Sequence, residues 1–139
     1  SPIEDLAFEA KQLRNLNELL AESDVISLHA PGGSESPILQ REHFSLMKRT
    51  PILINTARGD IIDQEALIES LKNGVISGAG LDVYLDEPKV PSELLSLNNV
   101  TLLPHIGSAT NETREAMGML AVNNLIAHFS DQNYPSRVV

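Results

Sequence analysis

The 139-residue sequence predicts an α/β protein, a doubly wound parallel sheet with helices on both of its faces. Two observations support this fold class. Short apolar runs alternate along the chain with segments of helical periodicity, which is the order of elements found with parallel sheets. The runs are also apolar at nearly every position, as expected for strands that are buried on both faces. We expect a single domain, since domains commonly have about 100–200 residues.

Four strands are predicted where a β-rich run ends in turn residues. The first run ends at Ala30-Pro31-Gly32-Gly33, and the second ends at Ala57-Arg58-Gly59. Gly78 and Gly80 allow close packing of the third run, and Pro104 stops the fourth. The predicted strands span residues 24–29, 52–56, 77–83 and 99–103.

Helices are predicted between the strands from apolar spacing and from capping residues. Asp63 can cap the helix after the second strand, which Lys72 and Gly74 close. Thr110 is a good N-cap for the last helix, and Glu112 lies favourably near its positive end. The other predicted helices span residues 16–22 and 40–47, and the last helix spans about 111–129.

Composition limits the classes of partner and chemistry. The formal net charge of −9 makes nucleic acid and anionic membrane surfaces poor candidates as partners. The sequence has no cysteine, which excludes disulfides, zinc–thiolate sites and thiol nucleophiles and fits a cytoplasmic location. No apolar run approaches the roughly 18 residues of a membrane span. The four histidines lack metal-ligand spacing, so no metal site is predicted.

Chemistry-bearing side chains follow the predicted strands, and ligands of open parallel sheets bind outside the carboxyl ends of the strands. Arg58 could hold a carboxylate through paired hydrogen bonds; the alternative is a surface arginine in a turn. His105 could move a proton near neutral pH; the alternative is a structural histidine. Glu87 would favour imidazolium if it contacts His105; the alternative is a solvated loop acid. Asp82 closes the third strand, where a buried carboxylate needs hydrogen-bond donors.

Five segments in order resemble the D-isomer-specific 2-hydroxyacid dehydrogenase family. They are Leu28-His29-Ala30-Pro31, Ile54 to Asp60, Gly78 to Tyr84, Asp86-Glu87-Pro88 and Leu103 to Thr110. The resemblance extends from about residue 16 to the end of the chain. Within the family, Ala30-Pro31-Gly32 and the ending Tyr134 to Val138 are most similar to glyoxylate/hydroxypyruvate reductases.

This resemblance implies a Rossmann-like fold and an NAD(P)-dependent oxidoreductase that interconverts a small 2-oxo acid and its D-2-hydroxy acid. The resemblance implies three catalytic residues. Arg58 would bind the substrate carboxylate and carbonyl, and His105 would be the general acid. Glu87 would keep His105 protonated. The residues that the resemblance implies for cofactor binding are Ala30, Pro31, Thr56, Ala57, Arg58, Asp82, His105, Gly107 and Ser108.

Two features of the family are missing from the sequence, the Gly-rich dinucleotide loop and the substrate-binding domain. We therefore expect residues 1–139 to be the C-terminal portion of a dinucleotide-binding domain, with the last helix and a tail, and to be inactive alone. The cofactor is expected to be NAD or NADP, and Ser1-Pro2, which resembles a segment that faces a 2′-phosphate in some reductases, favours NADP.

The expected partner is a small 2-oxo or 2-hydroxy acid substrate, and the full-length protein is expected to be a homodimer. An alternative function is that of a non-enzymatic dinucleotide-sensing module, as in corepressor-like members of the family. The Arg58, Glu87 and His105 set does not separate these two functions, because those corepressors retain it.

Overall fold

The computed structural model of the protein describes residues 10–130 and 132–137. The chain forms two compact units, the first ending at Pro104 and the second beginning at His105. Ser1-Pro2, from which a preference for NADP is predicted, lies outside the described residues.

The first unit alternates helices and strands, as the sequence predicts. Its elements are α1 (Leu16–Glu22), β1 (Val25–Leu28), α2 (Arg41–Leu46), β2 (Ile52–Asn55), a 3-10 helix (Gly59–Ile61), α3 (Gln64–Lys72), β3 (Gly78–Leu81), α4 (Ser92–Leu95) and β4 (Val100–Leu102). The second unit contains α5 (Asn111–Phe129). None of the helices in the described part of the chain is long and apolar enough to cross a membrane.

The four strands form one parallel sheet in the order β1-β2-β3-β4. Val25 pairs with Ile52, Ile52 pairs with Gly78, and Ala79 pairs with Val100. The parallel arrangement confirms the predicted fold class. Because all four strands point the same way, the segments that follow β1, β2 and β3 leave the sheet at one edge.

The core of the first unit lies on one face of the sheet. Side chains from β1, β2 and β3 pack there with side chains from α1, α2, α3 and α4: Leu20, Ile26, Leu28, Phe44, Leu53, Leu67, Leu71, Ala79, Leu81 and Leu94. On the opposite face Val25 is 59% exposed and Ile52 is 43% exposed. These two side chains therefore lie outside the core of the first unit. Alternate strand residues are buried because α1 to α4 contribute their apolar side chains to a single core.

The predicted caps are confirmed. The Asp63 carboxylate accepts from the Ala66 N–H at 3.0 Å, and Gly74 follows α3 with φ of +67°. Thr110 accepts from the Thr113 N–H at 3.2 Å at the start of α5. Gly78 is required for packing, since a Cβ there would lie 2.9 Å from the Asn99 carbonyl oxygen. The capping and turn residues therefore have the roles that the sequence predicts.

Two short helices are not predicted by the sequence patterns. The 3-10 helix Gly59–Ile61 interrupts the segment between β2 and α3, and α4 has only four residues after Pro91. A single turn is too short to show helical periodicity. Leu94 of α4 is buried, so packing against the core stabilises this turn.

Candidate functional site

The turn that carries Arg58 is held by Asn55, the last residue of β2. The buried Asn55 side chain donates to the Arg58 carbonyl oxygen at 2.8 Å and accepts from the Ala57 N–H at 3.0 Å. The Arg58 side chain is exposed, and its Nη1 donates to the Ala57 carbonyl oxygen at 2.6 Å. A guanidinium has further N–H donors, which suit it to bind a carboxylate. The sequence thus folds so that a buried carboxamide fixes the main chain beneath an exposed cation.

A cleft of about 690 Å³ lies beside Arg58, between the segments that follow β1 and β2. Its lining residues are His29, Ala30, Pro31, Gly32, Gly33, Ala57, Arg58 and Asp60. The structure therefore brings together four of the predicted site residues, Ala30, Pro31, Ala57 and Arg58. The volume lies in the range of small-molecule sites, roughly 300–1,000 Å³. Thr56 is exposed in the same turn as Arg58.

Gly59 joins the Arg58 turn to the loop that follows β3. A Cβ on Gly59 would collide with the Tyr84 carbonyl group and with the Leu85 nitrogen, so the approach requires glycine. The Tyr84 N–H in turn donates to Glu87 Oε1 at 3.1 Å. The segments that carry Arg58 and Glu87 are therefore packed against each other at the carboxyl edge of the sheet.

Tyr84 links the loop after β3 to the end of β4. Its hydroxyl donates to the Leu103 carbonyl oxygen at 2.8 Å. Burial raises the pKa of the Tyr84 phenol, and the negative charges of Asp82 and Glu87 act in the same direction. Asp82 is buried directly after β3, and its N–H donates to the Asn55 carbonyl oxygen at 3.0 Å. The predicted residues Asp82 and Glu87 thus surround a phenol that stays protonated at neutral pH.

The second unit holds the other predicted residues, His105, Gly107 and Ser108. His105 is exposed and has φ of +55°, a left-handed conformation in which histidine is enriched among residues other than glycine. A turn follows, in which the Ala109 N–H donates to the Ile106 carbonyl oxygen at 3.0 Å. These three residues precede α5 in one segment, and the pairing of Glu87 with His105 stays a prediction.

Sequence reasoning missed four residues that organise the site: Asn55, Gly59, Asp60 and Tyr84. Asn55 could have been found as a lone carboxamide ending an apolar strand, since a buried polar side chain must find partners. The close approach of Gly59 to Tyr84 has no signal in a single sequence. Asp60 accepts from the Gly33 N–H at 2.5 Å, a contact between distant segments that sequence spacing does not reveal.

The residues at this edge suit a nicotinamide nucleotide. Ala30, Pro31 and Ala57 give the cleft small apolar walls, and Arg58 places a cation beside them. Asp82 is a buried carboxylate at a strand end, the kind of group that accepts hydrogen bonds from a carboxamide. Within residues 10–130 and 132–137, no group of three His, Asp or Glu side chains is placed to hold a metal ion.

Comparison of the sequence with known protein families identifies the family of this chain. The sequence model of the D-isomer specific 2-hydroxyacid dehydrogenase NAD-binding domain matches residues 2–107. The chain belongs to this family. Its Rossmann-like fold and its relation to NAD-binding domains, both expected from the resemblance, are confirmed.

Relatives within the D-2-hydroxyacid dehydrogenase family include reductases of small acids. The chain is 48% identical over 129 residues to a glyoxylate reductase from Thermococcus kodakarensis, covering 92% of this chain and 38% of the relative. It is 51% identical over 115 residues to a glyoxylate/hydroxypyruvate reductase B from Erwinia tasmaniensis, covering 81% and 36%. The chain thus spans less than two fifths of the length of these curated relatives.

A solved structure agrees with the fold of this family member. The NADPH-dependent glyoxylate/hydroxypyruvate reductase from Sinorhizobium meliloti, in complex with NADP and malonate, superposes with a TM-score of 0.92 at 38% identity. The match covers 100% of this chain and 43% of that chain.

Proposed function

We propose that the complete natural polypeptide is an NAD(P)-dependent reductase that converts a small 2-oxo acid of the glyoxylate or hydroxypyruvate type into its D-2-hydroxy acid, and catalyses the reverse reaction. The observation that carries this proposal is the position of Arg58, beside a cleft of about 690 Å³ at the carboxyl ends of β1 and β2. An exposed guanidinium beside such a cleft suits a small carboxylate substrate. The glyoxylate reductases among the relatives support the same substrate class.

Arg58 is proposed to bind the substrate carboxylate and to polarise the neighbouring carbonyl, because its main chain is fixed on both sides by Asn55. A bound reduced nicotinamide nucleotide supplies the hydride for the carbonyl carbon. His105 is proposed to donate the proton to the carbonyl oxygen and to accept it in the reverse reaction. Glu87 is proposed to pair with His105 and keep it protonated.

The cofactor is proposed to lie along the segments that follow the strands. Ala30 and Pro31 border the cleft, Thr56 and Ala57 precede Arg58, and Asp82 directly follows β3. Gly107 and Ser108 are proposed to complete this set.

We propose that the protein uses NADP in preference to NAD, which the NADP-bound relative from Sinorhizobium meliloti supports. Comparing kcat/KM for NADPH and NADH tests this choice, and a higher value for NADH would contradict it.

The complete protein extends the proposal to location and assembly. We propose that it is a cytoplasmic homodimer and that residues 1–139 alone turn over little substrate. The sequence has no Gly-x-Gly-x-x-Gly loop to seat a pyrophosphate on a helix N-terminus, which supports low turnover by these residues alone. Apolar side chains of α5 such as Met117, Ile126 and Phe129 are exposed, and a partner copy would bury such surface. Light scattering measures the molar mass of the complete protein in solution, and the mass of a single polypeptide would contradict the dimer.

The test is the oxidation of NADPH by the complete polypeptide with glyoxylate or hydroxypyruvate. His105→Ala should lower kcat by about 10²–10⁴-fold, the usual range for general acid catalysis. Arg58→Ala should raise KM and also lower kcat, because Arg58 contacts both the ground state and the transition state. His128→Ala on α5 and Arg41→Ala on α2 are matched controls and should retain activity. NADPH binding without turnover by the wild type would favour the non-enzymatic, dinucleotide-sensing module instead.

A further inference from the structure

Asp60 joins the two sides of the cleft beside Arg58. It lies in the 3-10 helix after Arg58, while the Gly32–Gly33 turn follows β1 on the other side. Asp60 Oδ2 accepts a hydrogen bond from the Gly33 N–H at 2.5 Å. A bond from an N–H to a carboxylate is shorter and stronger than one to a neutral acceptor. One carboxylate therefore holds together two segments that are distant in sequence.

The second oxygen of this carboxylate, Oδ1, is buried and makes no hydrogen bond within the described part of the chain. A buried acceptor without a partner costs folding free energy, so this second oxygen does not contribute to stability. An aliphatic side chain would fill the same space without that cost. Asp60 lies in the wall of the cleft, which suggests that its carboxylate contributes to the structure of that wall.

The Gly32–Gly33 turn is built to accept this carboxylate. A Cβ on Gly32 would collide with Asp60 Oδ1 and would lie 3.0 Å from the Arg58 Cβ. Gly33 has φ of +84°, which side-chain-bearing residues rarely adopt. The turn thus closes against Asp60 and Arg58 together, and the two glycines allow both contacts.

We propose that Asp60 is a positioning residue, which holds the Gly32–Gly33 turn against Arg58 and so fixes the wall of the cleft that receives the 2-oxo acid. The proposal rests on the proposed reductase function. Asp60 acts through the turn, because one of its carboxylate oxygens holds the Gly33 N–H and the other is buried beside Gly32. A wall held in place contributes equally to substrate and transition-state binding, so its loss should appear mainly in KM.

The experiment compares Asp60→Ala and Asp60→Asn in the complete natural polypeptide, with glyoxylate and saturating NADPH. Asp60→Ala should raise the KM for glyoxylate about tenfold and change kcat less than about twofold, since one hydrogen bond to a charged group is lost. Asp60→Asn keeps an oxygen that can accept from the Gly33 N–H. Its KM should return to within about threefold of wild type.

Asp63→Ala is the matched control. Asp63 is the next carboxylate along the chain and caps α3 by accepting from the Ala66 N–H, away from the cleft. Its loss should lower the midpoint of urea unfolding and leave the KM for glyoxylate unchanged. A purely structural role of Asp60 would give the same behaviour as this control, with lower stability and an unchanged KM.

A double substitution tests the contact itself. Gly32→Ala should raise the KM for glyoxylate in the wild-type background, because the new methyl group displaces the Asp60 carboxylate. In the Asp60→Ala background the same change should raise KM by a smaller factor than in the wild type, since only the approach of the new methyl group to the Arg58 Cβ then remains. Fully additive effects would overturn the proposal.

The outcomes also separate this inference from the proposed function. Absence of turnover by the wild type would overturn both. Turnover by the wild type with an unchanged KM for glyoxylate in Asp60→Ala would overturn the role of Asp60 and leave the reductase function standing. A raised KM that Asp60→Asn restores, with no change in Asp63→Ala, would establish the positioning role.

Discussion

The Asn55 side-chain amide donates a hydrogen bond of 2.8 Å to the carbonyl oxygen of Arg58. The same buried carboxamide accepts from the Ala57 N–H at 3.0 Å, so the main chain is held on both sides of the peptide that joins Ala57 to Arg58. Asn55 does not line the cleft, and it can act on Arg58 only through the main chain. The main chain that carries the proposed substrate-binding cation is therefore held by a buried residue.

Asn55→Ala should lower the free energy of unfolding by about 2–4 kcal/mol, because it removes two hydrogen bonds and leaves partly buried main-chain groups unpaired. It should also lower kcat/KM, since the Arg58 turn is no longer fixed. Asn99→Ala is the control: Asn99 also donates to a carbonyl oxygen, that of Leu71, at 3.2 Å, but before β4. Urea denaturation and steady-state kinetics should show loss of stability in both variants and loss of kcat/KM in Asn55→Ala only.

Gly59→Ala should separate the Arg58 turn from the loop that holds Glu87. The added methyl group would overlap the backbone of Tyr84 and Leu85, and overpacking of this kind commonly costs about 1–3 kcal/mol. We expect a lower midpoint in urea and a lower kcat/KM. Gly118→Ala in α5 has open space around the new methyl group and should be neutral or stabilising. Equal behaviour of the two variants would contradict the packing argument.

Tyr84 should make the stability of the protein sensitive to alkaline pH. Burial raises the pKa of its phenol in the folded state, so the unfolded chain loses this proton at lower pH than the folded chain. The contribution to stability is complete below about pH 10, the ordinary pKa of tyrosine, and is lost as pH rises through the folded-state pKa.

Tyr84→Phe should cost about 1 kcal/mol at neutral pH, through loss of the hydrogen bond to the Leu103 carbonyl oxygen, and should weaken the alkaline decline. Tyr134→Phe, in the second unit, retains Tyr84 and should retain the decline. Urea unfolding measured at several pH values checks both expectations. An alkaline decline that is identical in Tyr84→Phe and wild type would assign the effect to other groups.

Glu87→Gln tests the proposed pairing with His105. Glutamine keeps an oxygen for the Tyr84 N–H, so the loop should stay in place while the charge is removed. A carboxylate stabilises imidazolium, so without it the pH profile of kcat/KM for reduction should shift downward. Glu93→Gln on α4 is the control. An unchanged or upward-shifted profile in Glu87→Gln would show that Glu87 is only a loop acid.

The fold could be predicted from the sequence where local signals are strong. α1 and α5 begin and end at the predicted residues, because apolar spacing and the Thr110 cap mark them. The one-turn helix α4 has too few residues for a periodic signal. The exposure of Val25 and Ile52 could not be predicted, because an apolar strand residue does not reveal which elements cover it.

The sequence predicted which segments form the candidate site, namely those that follow the strands, but not the contacts between them. The position of Arg58 after β2 follows from the parallel order of strands, so the sequence sufficed to find it. The contacts that hold the Arg58 turn do not follow from the order of the strands. In the sequence Asn55 resembles any strand residue, and the approach of Gly59 to Tyr84 depends on three-dimensional packing. Asp60 could not be distinguished from a solvated acid, because its partner Gly33 lies in a different loop.

The spatial order of the sheet is also the order in which a ribosome makes the strands. Each strand pairs with the one synthesised before it, so every docking step closes a loop of only about 20–30 residues and carries a modest entropic penalty. β1 and β2 can therefore associate while later residues are still inside the ribosome. The Arg58 turn cannot reach its final packing until Tyr84 emerges to meet Gly59. Translation thus builds the cleft in stages, with its contact to the Glu87 loop added after its first two strands.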